Sequence, residues 1–311
     1  MKKNLINETH IEGILYEHSL DKKVTGPNSK HPNTEYISGS INIATDPEMT
    51  NTISVFYTYV TPTTSKGSVN STYTTLENII DGKYKAYVDC KGEETPVKFR
   101  IDSRIGLREW YKDGDLISTK RNDGGFIHVV TQLNENVDKR ATFKTDMVIT
   151  SVKRIEADEE KDTPERVVIK GAIFDSYRKS LLPVEYTVLN PAAMDYFEGL
   201  EASSRNPVFT NVWGKQVSKV VTKRTVTDSA FGDPDIKETS TTRKDFVITG
   251  AMKEPYVWDD DSTLLATELQ TMMQERDTYL ATLKQQAIEY QNSAKTKPAS
   301  APSVKNSDYD F

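Results

Sequence analysis

Residues 36–60 read YISGSINIATDPEMTNTISVFYTYV, and residues 166–189 read RVVIKGAIFDSYRKSLLPVEYTVL. Each stretch is a β-branched run with a central glycine, a polar turn and a second β run. Each second run ends in V-x-Tyr-Thr-x-apolar, so Val55–Val60 (VFYTYV) aligns with Val184–Leu189 (VEYTVL), and Gly39 aligns with Gly171. The copies lie about 130 residues apart, too far for a stacked solenoid repeat and about the size of a small domain. The pattern predicts one β fold used twice.

Turn and cap signals fill in the rest. Strands are expected at His10–Glu17, Tyr36–Thr45 and Thr52–Val60, then a short helix at Ser71–Asp81 with Leu76, Ile79 and Ile80 on one face. Strand residues resume at Lys85–Asp89, Val97–Ile101, Arg108–Lys112, Leu116–Lys120 and Gly125–Gln132, with a hairpin turn at Asp113-Gly114. In the second copy, strands are expected at Phe143–Glu156, Arg166–Asp175 and Leu181–Leu189. A helix capped by Asn190 with Pro191 at its first position follows, and then the strands Val208–Thr227 and Ile236–Met252. A single helix after the third strand, in both copies, is the order of the OB-fold, a five-stranded Greek-key barrel. The fold class is therefore mostly β: two tandem OB-like barrels, each with one short helix, then a C-terminal helix and a disordered tail. The expected divisions are 1–138, 139–257, 258–292 and 293–311.

Composition narrows the function. A hydrophobic share of 36% in 311 residues, with 28% charged, implies that part of the chain is solvated. No apolar run is long enough to span a bilayer. Residues 1–10 carry two lysines with no apolar core behind them, so no secretory signal is expected. One cysteine, Cys90, excludes an intramolecular disulfide and fits a reducing cytoplasm. A net charge of −6 excludes a bulk-basic nucleic-acid binder but leaves room for a local basic groove. The histidines are scattered, and zinc spacings, phosphate loops and nucleophile elbows are absent, so neither enzyme chemistry nor a metal or other cofactor is expected. Asp259-Asp260-Asp261 precedes the C-terminal helix and is explained by helix-start charge. That helix, expected at Asp261–Gln291 with Asp261 or Ser262 as cap, has a narrow stripe (Leu265, Leu269, Met272, Tyr279, Leu283, Ala287) interrupted by Arg276. Packing on a barrel is favoured over pairing with a second copy.

Strand alternation separates core from surface. In copy two, Val184, Tyr186 and Val188 share the apolar face. The same parity in copy one places Val55, Tyr57 and Tyr59 inside and Phe56 and Thr58 outside. Aligning the glycines places Ile37, Ile41, Ile169 and Ile173 inside, and Lys170 and Phe174 outside. Lys98 and Arg100 also point outward. Phe209, Trp213, Lys215 and Lys219 share one parity in a stretch that also holds Lys223 and Arg224, unless a bulge at Gly214 breaks the register. Exposed aromatics among cations suit single-stranded nucleic acid, since bases stack on rings and lysine or arginine pairs with phosphate. The candidates are Phe56, Lys98, Arg100, Lys170, Phe174, Trp213, Lys215, Lys219, Lys223 and Arg224. The hairpin Trp110-Tyr111-Lys112 with Arg104 and Arg108, and the turn Tyr177-Arg178-Lys179, complete the set.

Residues 293–306 (SAKTKPASAPSVKN) read as a disordered linker, and the chain ends Asp308-Tyr309-Asp310-Phe311. Barrels, linker and tip together resemble the phage and bacterial single-stranded DNA-binding proteins, which join OB-folds to an acidic, Phe-terminated tip. This tip departs from the family in having only two acids and a tyrosine before the phenylalanine, and the linker carries lysines. The resemblance implies a DNA protector of phage or mobile-element replication and recombination in the host bacterial cytoplasm. Its partners would be single-stranded DNA and replication or recombination proteins docked on Asp308–Phe311; a homo-oligomer is compatible with it. The rival expectation is a protein-interaction or virion-structural module without nucleic acid, and a third is an RNA-binding OB protein.

Overall fold

The computed structural model describes residues 5–158, 163–175, 179–227, 235–259 and 264–296, with side chains placed except at 219–227, 235–243 and 293–296. Among the described residues eleven strands form one continuous sheet that closes on itself twice. The first ring uses β1 (Asn7–His18), β3 (Glu35–Ala44), β4 (Thr52–Val60), β5 (Lys98–Lys112) and β6 (Asp115–Val129). β1 pairs with both β3 and β5, β3 with β4, β5 with β6, and β4 runs parallel to β6, which shuts the barrel. The second ring repeats this with β7 (Ala141–Ile155), β8 (Arg166–Asp175), β9 (Ser180–Val188), β10 (Val208–Thr227) and β11 (Asp235–Ala251), where β9 and β11 are the parallel pair. Both are OB barrels. A short strand, β2 (Asp21–Val24), adds to the outside of β3.

Each barrel carries its helix between the third and fourth strands. α1 (Ser71–Ile80) is capped by Asn70, which accepts from the Thr72 amide at 3.2 Å, and it buries Leu76 and Ile79. α2 (Pro191–Gly199) is capped by Asn190, which accepts from the Ala193 amide at 3.1 Å, and it buries Met194 and Phe197. Ile37, Ile41, Val55 and Tyr57 fill the first core; Ile169, Ile173, Val184 and Tyr186 fill the second. Ile105 and Leu107 of β5 also enter the second core, so the β5–β6 hairpin of the first barrel reaches across to its neighbour.

Two features lock the barrels together. The first halves of β1 and β7, equivalent strands, pair antiparallel from Asn7↔Thr145 to Ile11↔Ala141. Beside them the buried Asp146 carboxylate accepts from the Ile6 amide (2.8 Å), Asn211 Nδ2 (2.7 Å) and the Tyr256 hydroxyl (3.1 Å). The C-terminal helix α3 (Ala266–Thr296) then packs on β9 and β5. Arg276, which breaks the apolar stripe, makes a buried two-point contact with Glu109 of β5, Nη1 to Oε2 at 2.6 Å and Nη2 to Oε1.

Several expectations change. Lys85–Asp89 is not a strand: Tyr87–Asp89 forms a 3-10 turn, closed by Cys90 N–H donating to the Tyr87 carbonyl. The paired short strands on either side of Asp113-Gly114 are two long ones, β5 and β6, interrupted only by an irregularity at Asp102–Arg104. α3 begins at Ala266, whose amide donates to Asp259 Oδ1 at 2.8 Å; the expected caps Asp261 and Ser262 lie outside the described residues, as does the tail from 297. Among the described residues no helix is long and apolar enough to cross a membrane.

Candidate nucleic-acid interface

OB barrels present ligands to the outer face of their second and third strands and to the loops beside them. In the first barrel that face is β3–β4. Phe56 lies on it, half-buried, and the Arg121 guanidinium of β6 sits 5.8 Å from its ring centroid. Asp123 holds Arg121 at 2.6 Å, and Arg121 also reaches the Thr58 hydroxyl at 3.5 Å. A flat ring with a fixed cation beside it offers both stacking and charge.

Tyr59 joins this face instead of the core, against the parity expectation. The β3–β4 ladder matches Ile37 with Val60 but Gly39 with Tyr57, so two steps on β3 oppose three on β4. The extra residue is a bulge that reverses the facing beyond it. Tyr59 is 43% exposed and stacks at a tilt on Tyr36, 4.8 Å between centroids. Gly39 is required here: its φ is +139°, and a Cβ would sit 2.1 Å from the Ser19 carbonyl oxygen.

The corresponding face of the second barrel, β8–β9, differs. Phe174, expected outside as a stacking ring, is only 2% exposed. It does point away from the barrel core, but it packs with Val148, Leu181 and Phe209 beneath Leu264, with Leu269 and Met272 alongside. The C-terminal segment is its cover. Lys170, on the same face, is exposed and paired with Glu185 at 3.2 Å.

The remaining candidates are dispersed. Arg108 lies 5.3 Å from the exposed Trp110 ring, with half-buried Tyr111 and exposed Lys112 beyond it towards the hairpin tip. Arg104 stands at the β5 irregularity. Lys98 and Arg100 face outward at the opposite end of β5, and Lys98 Nζ donates to the Thr131 carbonyl at 3.3 Å. Lys179 is an exposed turn residue in the left-handed region. A bulge does break β10 between Trp213 and Gly214. Phe209 and Trp213 both precede it and keep one parity: Phe209 is buried beneath Tyr256 and Trp258 of the C-terminal segment, while Trp213 is 40% exposed, its ring lying against Gly250, where a Cβ would meet it at 2.3 Å. Trp213 and Lys215 line a cleft of about 890 Å³ along the β1–β7 seam, where Lys215 pairs with Asp138 at 2.7 Å. Tyr177, Arg178 and Asp308–Phe311 lie outside the described residues, as do the side chains of Lys219, Lys223 and Arg224. Sequence reasoning missed Tyr36, Tyr59, Lys120, Arg121 and Phe126; the last is 68% exposed on β6, and its alternation with buried Ile127 was a legible signal.

A model of the YorF family matches residues 6–288. The chain belongs to the YorF family. No curated protein matches it. Among solved structures, this YorF-family chain is similar to a deletion mutant of the single-stranded DNA binding protein from Thermus aquaticus. The identity is 11% and the TM-score 0.46, over 82% of this chain and 97% of that one. The wild-type Thermus aquaticus protein gives 11% identity and a TM-score of 0.44, over 80% and 93%.

Proposed function

We propose that the protein binds single-stranded DNA, largely without sequence preference, and protects it during replication or recombination of a phage or mobile element in a bacterial cytoplasm. The observation that carries this is the β3–β4 face of the first barrel. Phe56 with Arg121, and the Tyr36–Tyr59 pair, put aromatic platforms and a cation where OB barrels hold oligonucleotides. The Trp110–Arg108 pair on the adjoining hairpin extends the same chemistry. In this proposal Asp308–Phe311 is the docking point for replication or recombination proteins.

A second reading, protein interaction, is favoured at the β1–β7 seam. There Glu8, Asp102 and Asp138 balance Lys139, Lys144 and Lys215, which suits a protein surface better than a phosphate chain. Fluorescence anisotropy with labelled oligo-dT, duplex DNA and RNA at two salt concentrations tests the proposal. Salt-sensitive binding that prefers oligo-dT is expected; no binding to oligo-dT at low salt overturns it. Deleting Asp308–Phe311 should leave DNA affinity equal or higher while abolishing partner capture.

A further inference from the structure

A second recess, of about 270 Å³, runs between the barrels, walled by β4 and β6 of the first and by β10 and β11 of the second. Lys120, Arg121 and Lys244 line it with one carboxylate, Asp245, a lining charge of +2 in a chain of net −6, of which Arg121's share is met from behind by Asp123 at 2.6 Å. Phe56 stands on the same wall. The seam cleft, by contrast, is neutral by the same count. Lys244 Nζ is held by Ser54 Oγ at 3.1 Å, a bond from the second barrel to the first.

Lys120 is the unusual member. Its ammonium lies 5.0 Å from the Phe246 ring centroid and 5.6 Å from that of Tyr186, and its hydrogen bond goes to a neutral acceptor, the Glu185 carbonyl. Burial pulls its pKa below the ordinary lysine value, while the Glu185 and Asp245 carboxylates oppose that only through space. A partly desolvated cation held by a carbonyl and two ring faces is costly unless an anion completes it.

We propose that this groove is a phosphate site, with Lys120 as its anchor and Arg121 and Lys244 flanking it. It takes a phosphodiester of the bound strand or the phosphate of a free ligand. In the first case, which rests on the single-strand reading, the backbone enters the groove while a base stacks on Phe56, and both barrels grip one strand.

The test uses the full chain as wild type, Lys120→Met, Lys244→Gln and Phe56→Ala, in two arms. In the first, oligo-dT affinity is measured across a salt series. Lys120→Met should weaken binding about tenfold at low salt and flatten the slope of log K against log salt by about 0.7, the loss of one phosphate contact on a single strand. Lys244→Gln should flatten it similarly, and Phe56→Ala should weaken binding with the slope intact. In the second arm, thermal unfolding is followed with inorganic pyrophosphate. Wild type should be stabilised and Lys120→Met should not, and without ligand Lys120→Met should melt no lower than wild type. That last result separates a binding role from a structural one, because methionine fills the site without the desolvated charge. If both lysine variants keep wild-type affinity, slope and pyrophosphate response, the groove proposal is overturned while the single-strand reading stands. If wild type fails to bind oligo-dT, the single-strand reading falls and the second arm decides. Stabilisation lost in Lys120→Met supports a free-phosphate site, and no stabilisation of wild type overturns the groove.

Discussion

β3–β4 and β8–β9 are the same pair of strands in two copies of one barrel, and they meet solvent in opposite ways. When the two sequences are aligned on their glycines and on the V-x-Tyr-Thr runs, Asn42 falls opposite Phe174 and Phe56 opposite Glu185. Phe174 and Leu181 make an apolar outer patch, and the chain's own C-terminal segment seals it through Leu264, Leu269 and Met272. Asn42 instead donates to Glu17 at 2.7 Å, and Phe56 keeps its cation and remains half open. Duplication preserved the inward residues and left the outward ones to diverge, so one barrel keeps its face and the other surrenders much of it to α3.

The largest test of this contrast is the clamp that holds α3 down. Arg276→Met alone should cost about 3–5 kcal/mol, because it strands the buried Glu109 carboxylate. Arg276→Met with Glu109→Leu should cost far less, read by urea denaturation. Equal losses in the single and double variants would mean that the pair is not the clamp. Phe174→Ala should also cost about 3–5 kcal/mol by emptying a packed site, with oligo-dT affinity of the folded protein unchanged. A loss of affinity without a loss of stability would put Phe174 back among the binding residues and erase the contrast. On the open barrel the balance reverses. Phe56→Ala and Tyr59→Ala should each remove about 1–3 kcal/mol of oligo-dT binding, measured by anisotropy, and less stability than Phe174→Ala. The smallest effect belongs to Lys170→Gln. Its ion pair with Glu185 is exposed on both sides and should be worth under about 1 kcal/mol in urea denaturation.

Much of the architecture was legible in the sequence because strand alternation, turn chemistry and helix caps are local. Thr52–Val60, Arg166–Asp175 and Val208–Thr227 begin and end where composition places them, and Asn190-Pro191 opens α2. The candidate site was less legible. The cover over Phe174 begins with Leu264, far along the chain, and alternation cannot reveal a cover. Tyr59 was misplaced because a bulge lies in the pairing between two strands, which neither strand shows alone. Lys120 ended one expected short strand and Arg121 fell in the gap after it. Only the continuous β6 places them at the junction of the barrels, beside the rings of Phe56 and Phe246.

The small strand β2 has a consequence for solubility. Both rings close, so among the described residues the eleven-stranded sheet ends in the free side of β2. An open sheet edge invites other chains to add to it. This one is four residues long and reads Asp21-Lys22-Lys23-Val24, and Lys22 is tied to Glu77 (2.8 Å) and Asp81 (3.6 Å) beside α1. This edge strand thus offers a neighbouring molecule only four residues of backbone to pair with, and what it offers is charged.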